Sequence, residues 1–170
     1  FVDTGASVTT TLSYAGDVFI IGSIQSSSAA NAMTGSWRLT DGSTSSTPIS
    51  RYLSSGSDYG QATVSHIFSG VAGVNTFELQ HQTSNSSRAI VTTANLVAIP
   101  LVSSNGNALN HDSVSTVTPY STTSAAYTAV PNTTASLTMS MTGNVYLAAS
   151  FNSTSAVNNG VGGWTMQYRV

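Results

Sequence analysis

The chain carries two tryptophans, Trp37 and Trp164, and the sequence around the second is a diverged copy of the sequence around the first. At an offset of 127, residues 6–40 lie over residues 133–167 without a gap, and eleven of the thirty-five pairs are identical. Gly16 falls on Gly143, Val18 on Val145, Ser23 on Ser150, Ala29 on Ala156, Asn31 on Asn158 and Gly35 on Gly162, while Phe19 meets Tyr146 and Ile20 meets Leu147. Serine-rich chains match at single positions by accident. Accident does not bring both tryptophans and the apolar pattern into one register. This is the mark of a tandem repeat, in which each period is one folding unit. The expectation is one complete module followed by the first half of a second.

The apolar pattern within the repeat has a period of two. Val8, Thr10, Leu12 and Tyr14 alternate with hydroxyl residues, and Ala135, Leu137, Met139 and Met141 alternate with Ser136, Thr138 and Ser140 in the same phase. That alternation buries one face of a strand and wets the other. Residues 18–24 and their partners 145–151 are apolar at nearly every position, the pattern of a central strand covered on both faces. Between the two stretches lie Ala15-Gly16-Asp17 and Thr142-Gly143-Asn144, short turns suited to a hairpin. Further strands are expected at residues 37–40, 61–69, 76–82, 89–93 and 95–101. Asp41-Gly42, Asp58-Tyr59-Gly60, Val71-Ala72-Gly73 and Ser84-Asn85-Ser86 supply the breaks. No segment carries a helical apolar stripe, so the expected class is all-β, an antiparallel sandwich. The expected organisation is a first module over 1–101, a linker and lead-in strand over 102–124, and a partial second module over 125–170.

Composition decides between a packed fold and a disordered one, and then narrows the partners. Serine and threonine make up about a third of the chain, lysine is absent, and four arginines (Arg38, Arg51, Arg88, Arg169) stand against six acids. Disorder goes with few apolar residues, whereas 40% hydrophobic content in regular β-branched runs argues for a core. Without a basic patch there is no footprint for DNA or RNA, whose phosphates need several Lys or Arg contacts. No run reaches the about 18 apolar residues of a membrane span. Cysteine is absent, so no disulfide staples the fold. Asn85, Asn132 and Asn152 open Asn-x-Ser/Thr triplets, candidate glycosylation acceptors that lean towards an extracellular or cell-surface protein. The chain opens on Phe1 rather than methionine, which reads as a processed product or a piece of something longer.

The order of elements over residues 14–101 resembles the jelly-roll domain shared by complement-type and tumour-necrosis-factor-like proteins, in the form found in bacterial and phage surface proteins. The residues that carry the resemblance are Asp17-Val18-Phe19-Ile20-Ile21-Gly22-Ser23-Ile24, Trp37-Arg38-Leu39 with Asp41-Gly42, and Ala62-Thr63-Val64-Ser65-His66-Ile67-Phe68. Val71-Ala72-Gly73-Val74-Asn75-Thr76-Phe77-Glu78-Leu79-Gln80 and Asn95-Leu96-Val97-Ala98-Ile99-Pro100-Leu101 complete it. The resemblance implies a jelly-roll-like sandwich and carries no catalytic motif; fold alone does not give function.

Chemistry-bearing residues are sparse. Asp3-Thr4-Gly5 resembles the active-site loop of aspartic proteases, where a carboxylate shares a proton with a second one to activate water. At the repeat offset these positions become Val130, Pro131 and Asn132, so the second copy brings no carboxylate, and the expected reading is a surface turn before the first strand. His66, His81 and His111 lack metal-ligand spacing and have no cysteine to join them. Asp41, Asp58 and Asp112 sit in loops and are the candidates for calcium, an ion that favours loop carboxylates and carbonyls. Tyr52, Tyr59 and Tyr120 are candidates for stacking on sugars.

Architecture therefore carries the functional expectation. The first half of a sandwich leaves open edges and an uncovered apolar face, here Leu137, Met139, Val145, Leu147, Phe151 and Trp164, which needs covering to escape aggregation. The expected function is a non-enzymatic structural subunit of an extracellular filament or surface layer, whose partners are copies of itself joined by strand donation or edge-to-edge sheet completion. A glycan-binding adhesin or phage fibre module is the second reading, and an aspartic-type protease using Asp3 the third. No resident cofactor is expected beyond the calcium candidate.

Overall fold

The computed structural model describes residues 1–28, 33–53, 60–84, 89–103, 105–109, 111–113, 129–138 and 145–149. No helix occurs among them, and five strands form one antiparallel sheet: β1 (Val2–Ser28), β2 (Met33–Thr40), β3 (Ile49–Leu53), β4 (Gly60–Thr83) and β5 (Ala89–Pro100). The spatial order is β3-β2-β4-β1-β5. The protein is all-β, as the period-two alternation predicts.

The two longest strands differ from the expected hairpin. Residues 8–14 and 18–24 do not pair with each other; they are successive parts of β1, and both pair with β4. Thr9 lies opposite Thr76 and Leu12 opposite Gly73, while Val18 lies opposite Phe68 and Ile24 opposite Ala62. The register slips on either side of the Gly16–Val71 pair. Ala15-Gly16-Asp17 and Val71-Ala72-Gly73, each expected to end a strand, thus face one another across the ladder. Extra residues on facing strands bend a sheet instead of reversing its chain. Asp17 fixes the bend from both sides: its carbonyl accepts the Leu101 N–H at 2.7 Å and its Oδ1 accepts the Gly70 N–H at 3.3 Å.

The bend folds the sheet over its own core. Val18, Ile20, Ile24, Val64 and Phe68 come from one half of the β1–β4 ladder, and Leu12, Trp37, Leu39, Phe77 and Leu79 from the other half and β2; all join one buried cluster. Contact between the halves is direct at Gly22, where a methyl group would stand 3.4 Å from Leu39 and 3.6 Å from Leu79. Fully burying side chains of this size contributes about 1.5–3 kcal/mol each. Residues 18–24 are nevertheless not covered on both faces: Val18, Ile20 and Ile24 are buried, whereas Phe19 and Ile21, facing the other way, are half-buried.

β3 has no counterpart among the expected strands. Ile49-Ser50-Arg51-Tyr52-Leu53 follows a run of hydroxyl residues and Pro48, and Ile49 packs on the core. Pairing with β2, including a Ser36 Oγ–Ser50 Oγ hydrogen bond of 2.8 Å, supplies what the apolar pattern does not.

By contacts the chain divides into two units, the first spanning Phe1–Leu109 and the second holding Asn110–Ala149. Residues 101–109 belong with the sheet because Leu109 N–H donates to Leu101 O at 2.8 Å and Val102 pairs with Ala108. In the second unit the described residues 133–138 and 145–149, where the repeat predicts strands, are not in strands.

Val102 also explains Gly16: a Cβ there would stand 2.6 Å from the Val102 Cβ. Gly16→Ala is expected to lower unfolding stability. Overpacking against a branched side chain costs about 1–3 kcal/mol, more than the about 0.4–1 kcal/mol gained from a less flexible unfolded chain. Gly22→Ala meets only ordinary contacts and is expected to leave the denaturation midpoint unchanged or raise it. Denaturant unfolding of the two variants beside the parent checks both signs.

Candidate functional site

Asp3-Thr4-Gly5 lies inside β1 rather than before it. Asp3 pairs with Gln80 and Ser7 with Glu78, so residues 4–6 bulge opposite Leu79. Thr4 Oγ1 donates to Leu79 O at 2.7 Å and accepts from Ala6 N–H at 3.2 Å, while Asp3 Oδ1 accepts from Gly5 N–H at 2.9 Å. Gly5 takes φ 82°, which a side chain resists. Each part of the motif is engaged in shaping the bulge. The residue paired with Asp3 is an amide whose Oε1 already accepts both Arg38 Nε (3.0 Å) and Nη2 (2.9 Å). The Arg38 guanidinium also lies 4.2 Å above the Phe1 ring.

Asp41 heads the turn that follows β2. Its Oδ1 accepts from Ser43 N–H (2.9 Å), Ser43 Oγ (3.0 Å) and Thr44 N–H (2.6 Å), and Oδ2 accepts from Thr44 Oγ1 (3.1 Å). Partial burial pushes its pKa up, but the backbone bonds from Thr44 and Ser43, with the two hydroxyl bonds, outweigh that and hold it below the ordinary 3.8. Asp112 uses its two oxygens similarly, on Ser113 N–H and Ser136 N–H. Asp58, the remaining calcium candidate, lies outside the described residues. Among the described residues no group of three or more His, Asp and Glu side chains could hold a metal ion.

Trp37 is fully buried, and its indole folds back over Gly35 so closely that a Cβ there would stand 2.7 Å from the ring. The pair recurs as Gly162 and Trp164, which lie outside the described residues. Trp37 Nε1 has no hydrogen-bond partner, and neither does Nδ1 of His81 across the ladder. Burial lowers the pKa of His81, the positive terminus at Phe1 lowers it further, and Asp3 opposes both. Burial also lowers His66, against the pull of Asp41.

The expected assembly surface is described in part. Leu137, Val145 and Leu147 are exposed, at 37%, 50% and 48%. Met139, Phe151 and Trp164 lie outside the described residues, as do Asn85 and Asn152 and the tyrosines Tyr59 and Tyr120. Tyr52 is exposed on β3. Asn132 is exposed at the tip of a turn in which Thr133 Oγ1 donates to Val130 O at 2.6 Å.

Two features of the surface escape a reading of the sequence. Asn132 is the one non-glycine at positive φ among the described residues (59°), and it falls on Gly5 (82°) at the repeat offset. Asparagine tolerates this backbone better than other side chains, so the two copies share a local conformation where they share no residue. The signal was present one position before the aligned block. The second feature is the outer edge of β5, which pairs with β1 alone among the described residues. β5 contains no charged residue, and Val97 at its centre is 51% exposed. Among the described residues the first half of β1 also has an open edge, interrupted by the bulge at Gly5.

No protein-family model matches the chain, and no curated protein matches it.

The lowered pKa values of His66 and His81 give the protein a pH dependence with a fixed sign. The unfolded state binds protons at histidine near the ordinary 6.5 while the folded state resists them, so stability is full above that value and falls as pH drops through it. Unfolding in denaturant at a series of pH values is expected to show this decline, and His81→Gln to flatten part of it.

Proposed function

We propose that the chain is a structural subunit of an extracellular filament or surface layer, in which copies complete one another's sheets. One observation carries the reading. The sequence that builds β1 recurs over residues 133–167, yet its described parts, 133–138 and 145–149, stand outside every strand with Leu137, Val145 and Leu147 exposed. A segment with the alternation and apolar content of a central strand is suited to a ready edge. It gains a row of main-chain hydrogen bonds and covered side chains. If the contact does not close on itself, repetition gives a fibre.

The surface chemistry supports the same reading. Side chains on the outer face pair through hydroxyls, as in Thr9 Oγ1 to Thr76 Oγ1 at 2.9 Å and Ser36 to Ser50. With a net charge of -2 and no lysine, copies repel one another weakly and offer few sites to trypsin-like proteases.

Leu147→Asp tests the proposal, since Leu147 is exposed and lies outside the folded sheet. The parent is expected to grow in light scattering and to give fibres or layers by electron microscopy. The variant should lose that growth while keeping the parent's thermal unfolding. A parent that stays monomeric at every concentration would sink the reading.

A further inference from the structure

We infer that residues 145–149 of one copy add as a strand to the outer edge of β5 in a second copy of this chain. The inference rests on the assembly reading above and names its receiving edge, inserted segment and facing.

β5 already pairs with this kind of sequence. Within the chain it pairs with residues 18–22 of β1: Val18 opposite Pro100, Phe19 opposite Ile99, Ile20 opposite Ala98, Ile21 opposite Val97 and Gly22 opposite Leu96. At the repeat offset these five become Val145, Tyr146, Leu147, Ala148 and Ala149. Cross-strand neighbours are the unit of sheet stabilisation, so a segment that conserves their character is suited to the same strand. The sterics agree. Gly22, which has room for a Cβ, has become Ala149, whereas Gly16 and Gly35, which have none, remain Gly143 and Gly162.

The competing edges fit less well. β3 spans only Ile49–Leu53, and the open half of β1 is broken by the bulge at Gly5 and carries Thr9 and Thr11. β5 carries no charge from Ala89 to Pro100, and its one register slip, between the Gln25–Thr93 and Ser26–Val91 pairs, lies outside the 96–100 stretch that receives the segment. It also lacks the lysines and central proline with which proteins blunt such edges.

Facing follows from period two. Leu96 and Ala98 pack against the core while Val97 points away and is exposed. Insertion in the phase of β1 sets Val145, Leu147 and Ala149 beside the core residues. Tyr146 and Ala148 then lie beside Val97 and Ile99, on the face shared with the half-buried Phe19, Ile21 and Ile67. The occupant is a second copy: every chain presents both the edge and the segment, and among the described residues β5 pairs with β1 alone while 145–149 form no strand, so each copy offers what another can take.

The absence of cysteine makes the test clean. Directly opposed residues in antiparallel strands sit about 4.5–5.5 Å apart between Cα atoms, within the span of a disulfide. Val97→Cys protein is mixed with Ala148→Cys protein, its direct opposite in this register, and oxidised, with Tyr52→Cys on β3 as the control edge. All these positions are exposed, and circular dichroism with thermal unfolding confirms that each variant folds. The expected result is a doubling of mass on a non-reducing gel for Val97 with a tail cysteine, lost on reduction and absent with Tyr52. The Val97→Cys/Ala148→Cys double variant should give a ladder. Normal polymers without this cross-link would overturn the β5 assignment and leave the assembly reading standing. A double variant cross-linked only within its own chain at high dilution would overturn the second copy as occupant. Absence of polymers and cross-links together would remove both.

Discussion

The β1–β4 ladder holds the rest of the structure in place. β2 attaches to the later half of β4 and β5 to the later half of β1, while β3 reaches the ladder only through β2. The ladder is interrupted where Gly16 meets Val71, and the interruption turns one long sheet into two halves that share a core. A straight ladder of this length would leave its apolar side open to water. Bent, it sets Gly22 against Leu39 and Leu79 and removes both surfaces from solvent at once. Gly16 supplies the space for Val102, so the chain leaving β5 closes over the bend and ties residues 101–109 to the sheet.

Hydroxyl and amide groups hold the outer surface, where charged pairs would stand in a more ordinary protein. Thr9 bonds to Thr76 and Ser36 to Ser50 across neighbouring strands, and Arg38 reaches Gln80 rather than a carboxylate. Neutral bonds of this kind each contribute about 0.5–1.5 kcal/mol and are little affected by salt. Asp3 and Asp41 are used locally, shaping the bulge at Gly5 and the turn at Gly42 with their own backbone.

Much of the fold is legible in the sequence because period two is a local property. The alternation from Val8 to Leu12 and the apolar run from Val18 to Ile24 mark real strand, as do residues 61–69 and 76–82. Continuity is not legible: Gly16 and Gly73 read as turns, and only the partner strand decides whether such residues reverse a chain or bend a sheet. β3 is hidden for a related reason, since its pairing with β2 depends on main-chain and hydroxyl bonds that leave no apolar pattern. Of the candidate site, the exposed residues Leu137, Val145 and Leu147 are visible in the repeat. The β5 edge is not, because the residues on an open edge look like those of any strand until the sheet order is known.

The bend has one more consequence, for how such a sequence can change over time. Beyond the Gly16–Val71 level, inward and outward faces are fixed by counting residues from the bulge. Losing or gaining a single residue in β1 or β4 would turn Val18, Ile20 and Ile24 to the solvent and bring Phe19 and Ile21 inside. Amino acids can drift at most positions, but the lengths of these two strands cannot. A change of length is absorbed more readily in the connection between β2 and β3, which lies outside the β1–β4 ladder.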